Sequence, residues 1–184
     1  MSLTDNPSPT SPPADLAGII VIDKPRGISS MGAVSGVRRR AGGARTGHAG
    51  TLDPLATGVL VMALGKATRI IERLMATEKR YRTVIDLSAF TPTDDLEGER
   101  EEVACSAPTE EAVCAALEPF RGSILQRPPA FSAMKVKGRR AYQLARRGET
   151  PEMPPRPVEI HELALVRYEW PQLELDIRCG KGMY

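Results

Sequence analysis

The chain has 184 residues, 41% of them hydrophobic and 26% charged, and its formal net charge is +2. These values are typical of a soluble globular protein, and a chain of this length can bury one substantial core. No apolar run is long enough to cross a bilayer, so the sequence excludes a membrane-spanning segment. We therefore expect one domain with tails and no membrane partner.

The first residues are rich in Ser, Thr and Pro and lack the basic and apolar regions of a signal peptide. We expect residues 1–17 to be a disordered tail and the protein to be cytoplasmic. Cys105, Cys114 and Cys179 are odd in number and widely spaced, which favours neither a disulfide framework nor a paired-cysteine zinc site. A reducing compartment fits this cysteine usage.

Apolar runs and turn residues predict alternating strands and helices in the first part of the chain. Residues 18–22 predict a buried strand, and a helix capped by Ser29 or Ser30 follows and ends at a pair of glycines. Residues 58–64 are apolar without alternation, which predicts a strand covered on both faces. Residues 67–75 predict a short amphipathic helix.

The second part of the chain is richer in strand patterns. Residues 79–88 and 156–168 predict strands, and residues 173–179 alternate apolar and charged side chains as a half-buried strand does. Shorter predicted elements are a loop at 91–98, a helix capped by Thr109, a hairpin turning at Lys137 and Gly138, and a helical turn at 142–147. The fold class is α+β, with a mixed, largely antiparallel sheet flanked by helices and loops.

Basic residues are segregated into three clusters although the net charge is small. The clusters lie at residues 38–45, 69–82 and 135–147, and an acidic segment lies at 94–102. Such segregation can create a basic face for a phosphate backbone. The alternative is that each cluster is a solvated helix face or a hairpin tip.

The loop at residues 47–58 (GHAGTLDPLATG) isolates one carboxylate between glycines. Pro54 favours an extended backbone at Asp53, and the glycines permit backbone conformations that other residues avoid. The loop can therefore present the Asp53 carboxylate for catalysis. Asp followed by Pro is also common in ordinary β-turns, so the local pattern alone leaves a simple turn as the alternative.

Other chemistries have few residues to support them. His48 and His161 are the two histidines, and neither has metal-ligand spacing with Cys, Asp or Glu. The phosphate-loop and dinucleotide-binding patterns are absent from the sequence. We expect neither a metal nor a cofactor. The remaining chemistry is a carboxylate nucleophile or base, assisted by an aromatic hydroxyl.

Six motifs, in this order, resemble the TruB family of tRNA pseudouridine synthases. They lie at residues 18–30 (GIIVIDKPRGISS), 47–65 (GHAGTLDPLATGVLVMALG), 79–82 (KRYR), 93–98 (TDDLEG), 128–148 (PPAFSAMKVKGRRAYQLARRG) and 179–184 (CGKGMY). The resemblance implies the pseudouridine synthase fold and a catalytic domain at residues 18–184. It also implies that a uridine in the T-arm of tRNA, at position 55, is flipped out and isomerised to pseudouridine without a cofactor.

By this resemblance Asp53 is the catalytic aspartate, acting either as a nucleophile or as a base at the ribose. Tyr81 stacks on the target base and places its hydroxyl near a proton-transfer position, the alternative being a packing residue of a strand. His48 holds the flipped nucleotide and Tyr184 contacts the substrate, the alternatives being a loop-capping histidine and an ordinary strand-end aromatic. Lys24 shapes the site. The implied partner is tRNA, and we expect a monomer.

The chain departs from the family pattern at its end. Family members continue past the tyrosine that matches Tyr184 into an arginine that pairs with the catalytic aspartate, then into further sheet elements and a PUA domain. We therefore expect a catalytic domain that is incomplete at its C-terminus, an Asp53 without its partner, and weak or no activity in this fragment. The alternatives are a non-catalytic RNA-binding module and a guide-RNA-type pseudouridine synthase.

Overall fold

The computed structural model describes residues 15–96, 98–130, 132, 134–136, 138–145, 147–149 and 152–184. The chain divides into two compact units, the first extending to Thr77 and the second beginning at Glu78. Composition and motifs did not indicate this division. Most of the predicted tail lies outside the described residues, and its last residue, Ala17, already begins a strand.

The first unit contains a three-stranded antiparallel sheet and one main helix. In chain order the elements are β1 (Ala17–Lys24), α1 (Ser30–Arg40), β2 (Thr46–His48), β3 (Gly58–Gly65), a 3-10 helix (Lys66–Ile70) and α2 (Ile71–Met75). The strands have the order β1-β3-β2, so that β3 is central. The helix predicted at residues 67–75 is present, although its first turn is a 3-10 helix.

Helix α1 begins where the sequence predicts because Ser29 caps it. The Ser29 hydroxyl accepts an N–H of the first helical turn at 3.0 Å, which satisfies a donor that the helix leaves unpaired. Ala33 and Val34 pack against Leu60 and Met62 of β3. The last turn of α1 carries three arginines, at the end where the helix dipole favours cations.

The sequence predicts a buried β1 and a β3 covered on both faces, and both predictions are wrong. Ile19 and Val21 are 51% and 60% exposed, and Val59 is 70% exposed. Leu60 and Met62, in contrast, are 2% and 0% exposed because they face α1. An unbroken apolar run carries no alternation that would show which face is covered, so the packing of α1 decides it.

The second unit is built on a four-stranded antiparallel sheet. In chain order its elements are β4 (Lys79–Asp86), β5 (Ala89–Phe90), β6 (Glu101–Glu102), α3 (Glu110–Leu117), a 3-10 helix (Glu118–Phe120), β7 (Gly122–Gln126), β8 (Lys135–Val136), β9 (Arg139–Arg140), α4 (Ala141–Ala145), β10 (Arg156–Glu169) and β11 (Gln172–Cys179). The four strands of the sheet have the order β4-β11-β10-β7, and two pairs of short strands, β5 with β6 and β8 with β9, accompany it.

The four-stranded sheet has one apolar face and one charged face. On the charged face Arg80 pairs with Asp176 at 2.8 Å, and Arg82 pairs with Glu174 at 2.6 Å. The alternation predicted for residues 173–179 is therefore present in the structure. The apolar face forms the core with Val113 of α3, and its buried sheet residues are Ile160, Leu163, Leu173, Leu175 and Cys179.

All strand pairings among the described residues are antiparallel, and the α+β prediction is confirmed. The predicted hairpin is present as β8 and β9, although Lys137 itself lies outside the described residues. The predicted helical turn is present as α4, and Gly148 follows it with a φ of 76°. Within the described ranges, no helix is both long and apolar enough to cross a membrane.

A network of polar groups joins the end of β4 to β6. Asp86 accepts the Ser88 hydroxyl at 2.6 Å and the Ser88 N–H at 2.9 Å, and Arg100 donates to it at 2.8 Å. Arg100 also pairs with Glu102 at 3.2 Å. The bond from the Ser88 hydroxyl, followed by that from Arg100, holds the pKa of Asp86 well below its usual value.

Lowering the pH should weaken the hydrogen bonds and the ion pair around Asp86. Because the folded-state pKa of Asp86 is lowered, its bonds stabilise the fold above the ordinary carboxyl pKa of about 4, and this contribution is lost as the pH falls further. The Val103 N–H donates to the Ser88 carbonyl at 2.8 Å, so its protection against hydrogen exchange should begin to fall only as the pH drops below about 4. Asp86→Asn should abolish this pH dependence, and retention of the full dependence in that variant would contradict the assignment.

Two neighbouring residues of β3 should differ sharply in their contribution to stability. Leu60→Ala removes a side chain that is 2% exposed, and we expect it to lower the free energy of unfolding by about 2–5 kcal/mol. Val59→Ala, at a position that is 70% exposed, should cost less than about 1 kcal/mol. Urea unfolding followed by far-ultraviolet circular dichroism measures both, and equal losses would refute the one-sided packing of β3.

Candidate active site

Asp53 lies at the start of a β-turn, and its side chain is exposed. The Ala56 N–H donates to the Asp53 carbonyl oxygen at 3.1 Å, which closes the turn of residues 53–56, here called the Asp53 turn. The turn that the sequence offers as the alternative is therefore present, and a catalytic role of Asp53 stays a prediction. The backbone forms a turn, and the turn presents the carboxylate to the outside.

Lys24, the last residue of β1, ties the Asp53 turn to the loop that follows β1. Its side chain is fully buried, and its Nζ donates to the carbonyl oxygens of Ile28 at 2.8 Å and Pro25 at 3.0 Å. The same Nζ lies 3.5 Å from the carbonyl oxygen of Pro54, which also accepts the Gly27 N–H at 2.8 Å. The loop after β1 and the Asp53 turn are thus joined through one ammonium group and one backbone bond.

Ser30 holds the other side of the Asp53 turn. Its hydroxyl donates to the Leu52 carbonyl oxygen at 2.8 Å and accepts the Leu52 N–H at 2.9 Å. The residues before and after Asp53 are therefore both bonded, while the carboxylate itself has no hydrogen bond or ion pair to a described residue of the first unit. The turn is thus held through Leu52 and Pro54, and the Asp53 carboxylate is exposed.

The sequence missed this role of Ser30. It offers Ser29 or Ser30 as the cap of α1, and Ser29 is the one that caps the helix. The signal in the sequence was that two serines stand at the start of α1 although one is enough to cap the helix. In the structure the second of them, Ser30, is only 3% exposed. A buried hydroxyl requires a partner, and Leu52 supplies it.

His48 lies on β2 directly opposite Met62 of β3, and its side chain is partly buried. Its Nδ1 is enclosed and has no hydrogen-bond partner among the described residues. The sequence predicts a loop histidine, whereas the structure places it on a short strand five positions before Asp53. The backbone of His48 is therefore held in the sheet, while its enclosed Nδ1 has no partner among the described residues.

The two candidate tyrosines lie in the second unit. Tyr81 is opposite Ile177 in the pairing of β4 with β11, and its partly buried ring packs against the core of that unit. The packing interpretation of Tyr81 is thus confirmed, and its contact with the target base stays a prediction. Tyr184 follows β11 and is 46% exposed, and the Arg156 guanidinium lies 5.0 Å from its ring centroid.

Metal ligands are not gathered in the part of the chain that the structure describes. No three His, Cys, Asp or Glu side chains lie close enough together there to hold an ion.

Removal of the Lys24 ammonium should destabilise the first unit. Lys24→Met keeps an apolar stem but leaves carbonyl groups of the two joined loops without their donor, and we expect a loss of about 1–3 kcal/mol in the free energy of unfolding. Lys66→Met is the matched control, because Lys66 is 59% exposed and pairs with Asp15 at the surface; we expect little change there. Similar urea midpoints for Lys24→Met and the unaltered chain would exclude this role of Lys24.

The family model for the N-terminal domain of TruB family pseudouridylate synthases matches residues 38–184. Several curated relatives carry the name tRNA pseudouridine synthase B. The relative from Bartonella tribocorum is 47% identical over 92% of this chain and 53% of its own length. That from Parasynechococcus marenigrum is 49% identical over 91% of this chain and 58% of its own length. The chain spans about half the length of these relatives.

Solved structures confirm the predicted fold. A chain in the crystal structure of a Cbf5-Nop10-Gar1 complex is 26% identical, with a TM-score of 0.68, over 91% of this chain and 40% of that chain. A chain in a structure of an H/ACA RNP bound to a substrate RNA containing 2′-deoxyuridine is 23% identical, with a TM-score of 0.63, over 91% of this chain and 39% of that chain. From the match of the family model over residues 38–184, the chain belongs to the TruB family of pseudouridylate synthases.

Proposed function

We propose that the protein to which this chain belongs converts uridine to pseudouridine at position 55, in the T-arm of tRNA. The proposal concerns the whole protein, because the chain spans about half the length of its curated relatives. The observation that carries it is the exposed Asp53 carboxylate on a turn held from both sides, in a chain whose relatives are named tRNA pseudouridine synthase B.

The reaction breaks the bond between ribose C1′ and uracil N1, turns the base, and joins C1′ to C5. The proton on C5 is lost and N1 gains one, so atoms and charge balance without a cofactor. Asp53 acts on the ribose, either attacking carbon as a nucleophile or removing a proton as a base. A carboxylate whose turn is held through neighbouring residues suits either role, because Lys24 and Ser30 leave its oxygens unused.

The target base must leave its stack before its glycosidic bond can be reached. Flipping costs a few kcal/mol, and contacts to the extruded nucleotide offset this cost. In the proposal His48 helps to hold the flipped nucleotide, and Tyr81 stacks on the base with its hydroxyl near the proton-transfer position. Tyr184 supplies a second, more exposed ring that contacts the substrate.

The proposed partner is tRNA, whose phosphates require cations on the protein surface. Arg38, Arg39 and Arg40 in the last turn of α1 are exposed, as is Arg45 in the loop that follows. These arginines form the basic cluster of the first unit. We expect the enzyme to bind tRNA as a monomer and to work in the cytoplasm, where its substrate is found.

Neither alternative from the sequence is favoured. Relatives at 47% and 49% identity carry the name of a tRNA-modifying synthase, which argues against a non-catalytic RNA-binding module. The same names argue for a stand-alone tRNA enzyme over a guide-RNA-type synthase.

Replacing the Asp53 carboxylate by an amide tests the proposal. In the gene product read from its complete coding frame, Asp53→Asn should reduce release of the C5 hydrogen from unmodified tRNA by at least about 10³-fold. Affinity for tRNA, measured by gel shift, should change little, because the turn is held through Lys24 and Ser30.

Asp15→Asn is the matched control, since Asp15 is 89% exposed and pairs with Lys66. It should keep full activity. Full turnover by Asp53→Asn, or no hydrogen release by the unaltered gene product, would refute the proposal.

A further inference from the structure

Residues at the ends of two strands hold Tyr184. Beyond β11 the chain stays on the sheet, because the Gly180 N–H donates to the Glu159 carbonyl oxygen at 2.8 Å. Tyr184 then reaches the last residue of β7, Gln126, and the first residue of β10, Arg156. These two residues are directly opposite each other in the strand register, so their side chains lie on the same face.

Gln126 holds the backbone of Tyr184. Its Oε1 accepts the Tyr184 N–H at 2.9 Å, and its Nε2 donates to the Tyr184 carbonyl oxygen. One side-chain amide thus satisfies both backbone groups of one residue. The Cα of Tyr184 therefore has a defined place beside the sheet.

Arg156 holds the ring of Tyr184. Its guanidinium carbon lies 5.0 Å from the ring centroid, within the range of a cation–π interaction. Its Nη2 donates to the Gly182 carbonyl oxygen. Gly182 has a φ of 82°, in the left-handed region that glycine adopts without strain.

The guanidinium covers part of the ring and leaves the rest open. Tyr184 remains 46% exposed. Arg156 Nε is buried and has no hydrogen-bond partner in the described part of the chain, so the contacts to Gly182 and to the ring are those that orient the guanidinium. The arrangement fixes the direction of the aromatic ring without enclosing it.

We infer that Arg156 and Gln126 are positioning residues that hold the Tyr184 ring in the orientation in which it contacts the target nucleotide. The inference rests on the proposed function, since it concerns how Tyr184 contacts the substrate of the proposed reaction. Neither residue touches the reacting atoms; both act through Tyr184. An ordered ring contacts the extruded nucleotide without first losing its own rotational freedom.

Steady-state kinetics on the full gene product with unmodified tRNA test this inference. Arg156→Ala should lower kcat/KM by about tenfold, mainly through kcat, because the basic clusters that bind tRNA are untouched. Gln126→Ala should act in the same direction. Arg156→Lys keeps a cation beside the ring and should recover part of the loss. The thermal midpoint should change by less than about 4 °C in each variant.

A double-mutant cycle separates positioning from a general structural role. If Arg156 acts through Tyr184, adding Arg156→Ala to Tyr184→Ala should change kcat/KM by less than about twofold. Arg167→Ala is the control, because Arg167 lies on the same strand, is exposed and pairs with Glu169; it should be neutral.

Additive losses in the cycle, or wild-type kcat in Arg156→Ala, would overturn the positioning role while leaving the proposed function intact. An inactive wild-type gene product would instead refute the proposed function. If Arg156→Ala fails to fold, Gln126→Ala and Arg156→Lys each take its place in the cycle with Tyr184→Ala. That cycle then decides between a positioning role and a general structural role.

Discussion

The buried ammonium group of Lys24 determines where the Asp53 carboxylate lies. The side chain of Lys24 is fully removed from solvent, and a charged amine in that position requires acceptors that replace its lost hydration. Those acceptors are carbonyl oxygens of the loop after β1 and of the Asp53 turn. The charge is satisfied only while both loops are in place. Helix α1 continues from the first loop and β3 from the second, so their arrangement depends on the same group.

Local patterns predict most of the elements of the fold. Ser29 marks the start of α1, alternation marks the two faces of β11, and glycines with Pro54 mark the Asp53 loop. The strand β7 and the pair β5 and β6 carry no comparable signal. The covered face of β3 depends on where α1 packs, and an apolar run does not encode that choice.

The site residues that the sequence missed act across long separations along the chain. Ser30 bonds Leu52, 22 positions away, and Gln126 bonds Tyr184, 58 positions away. Neither contact follows from a spacing rule of helices or strands. The exposed turn at Asp53 follows from a local pattern, whereas the residues that hold Asp53 and Tyr184 in place are recognisable only in the folded chain.

The ion pairs on the charged face of the second unit reduce the positive charge that this face offers to a polyanion. Arg80 and Arg82 belong to a basic cluster in the sequence, yet each already pairs with a carboxylate of β11. Arg178 likewise pairs with Glu78 and Glu162. An arginine neutralised within the protein displaces few condensed counterions when it approaches a phosphate. For the proposed association with tRNA, the ionic-strength dependence should therefore be set by fewer arginines than the sequence contains.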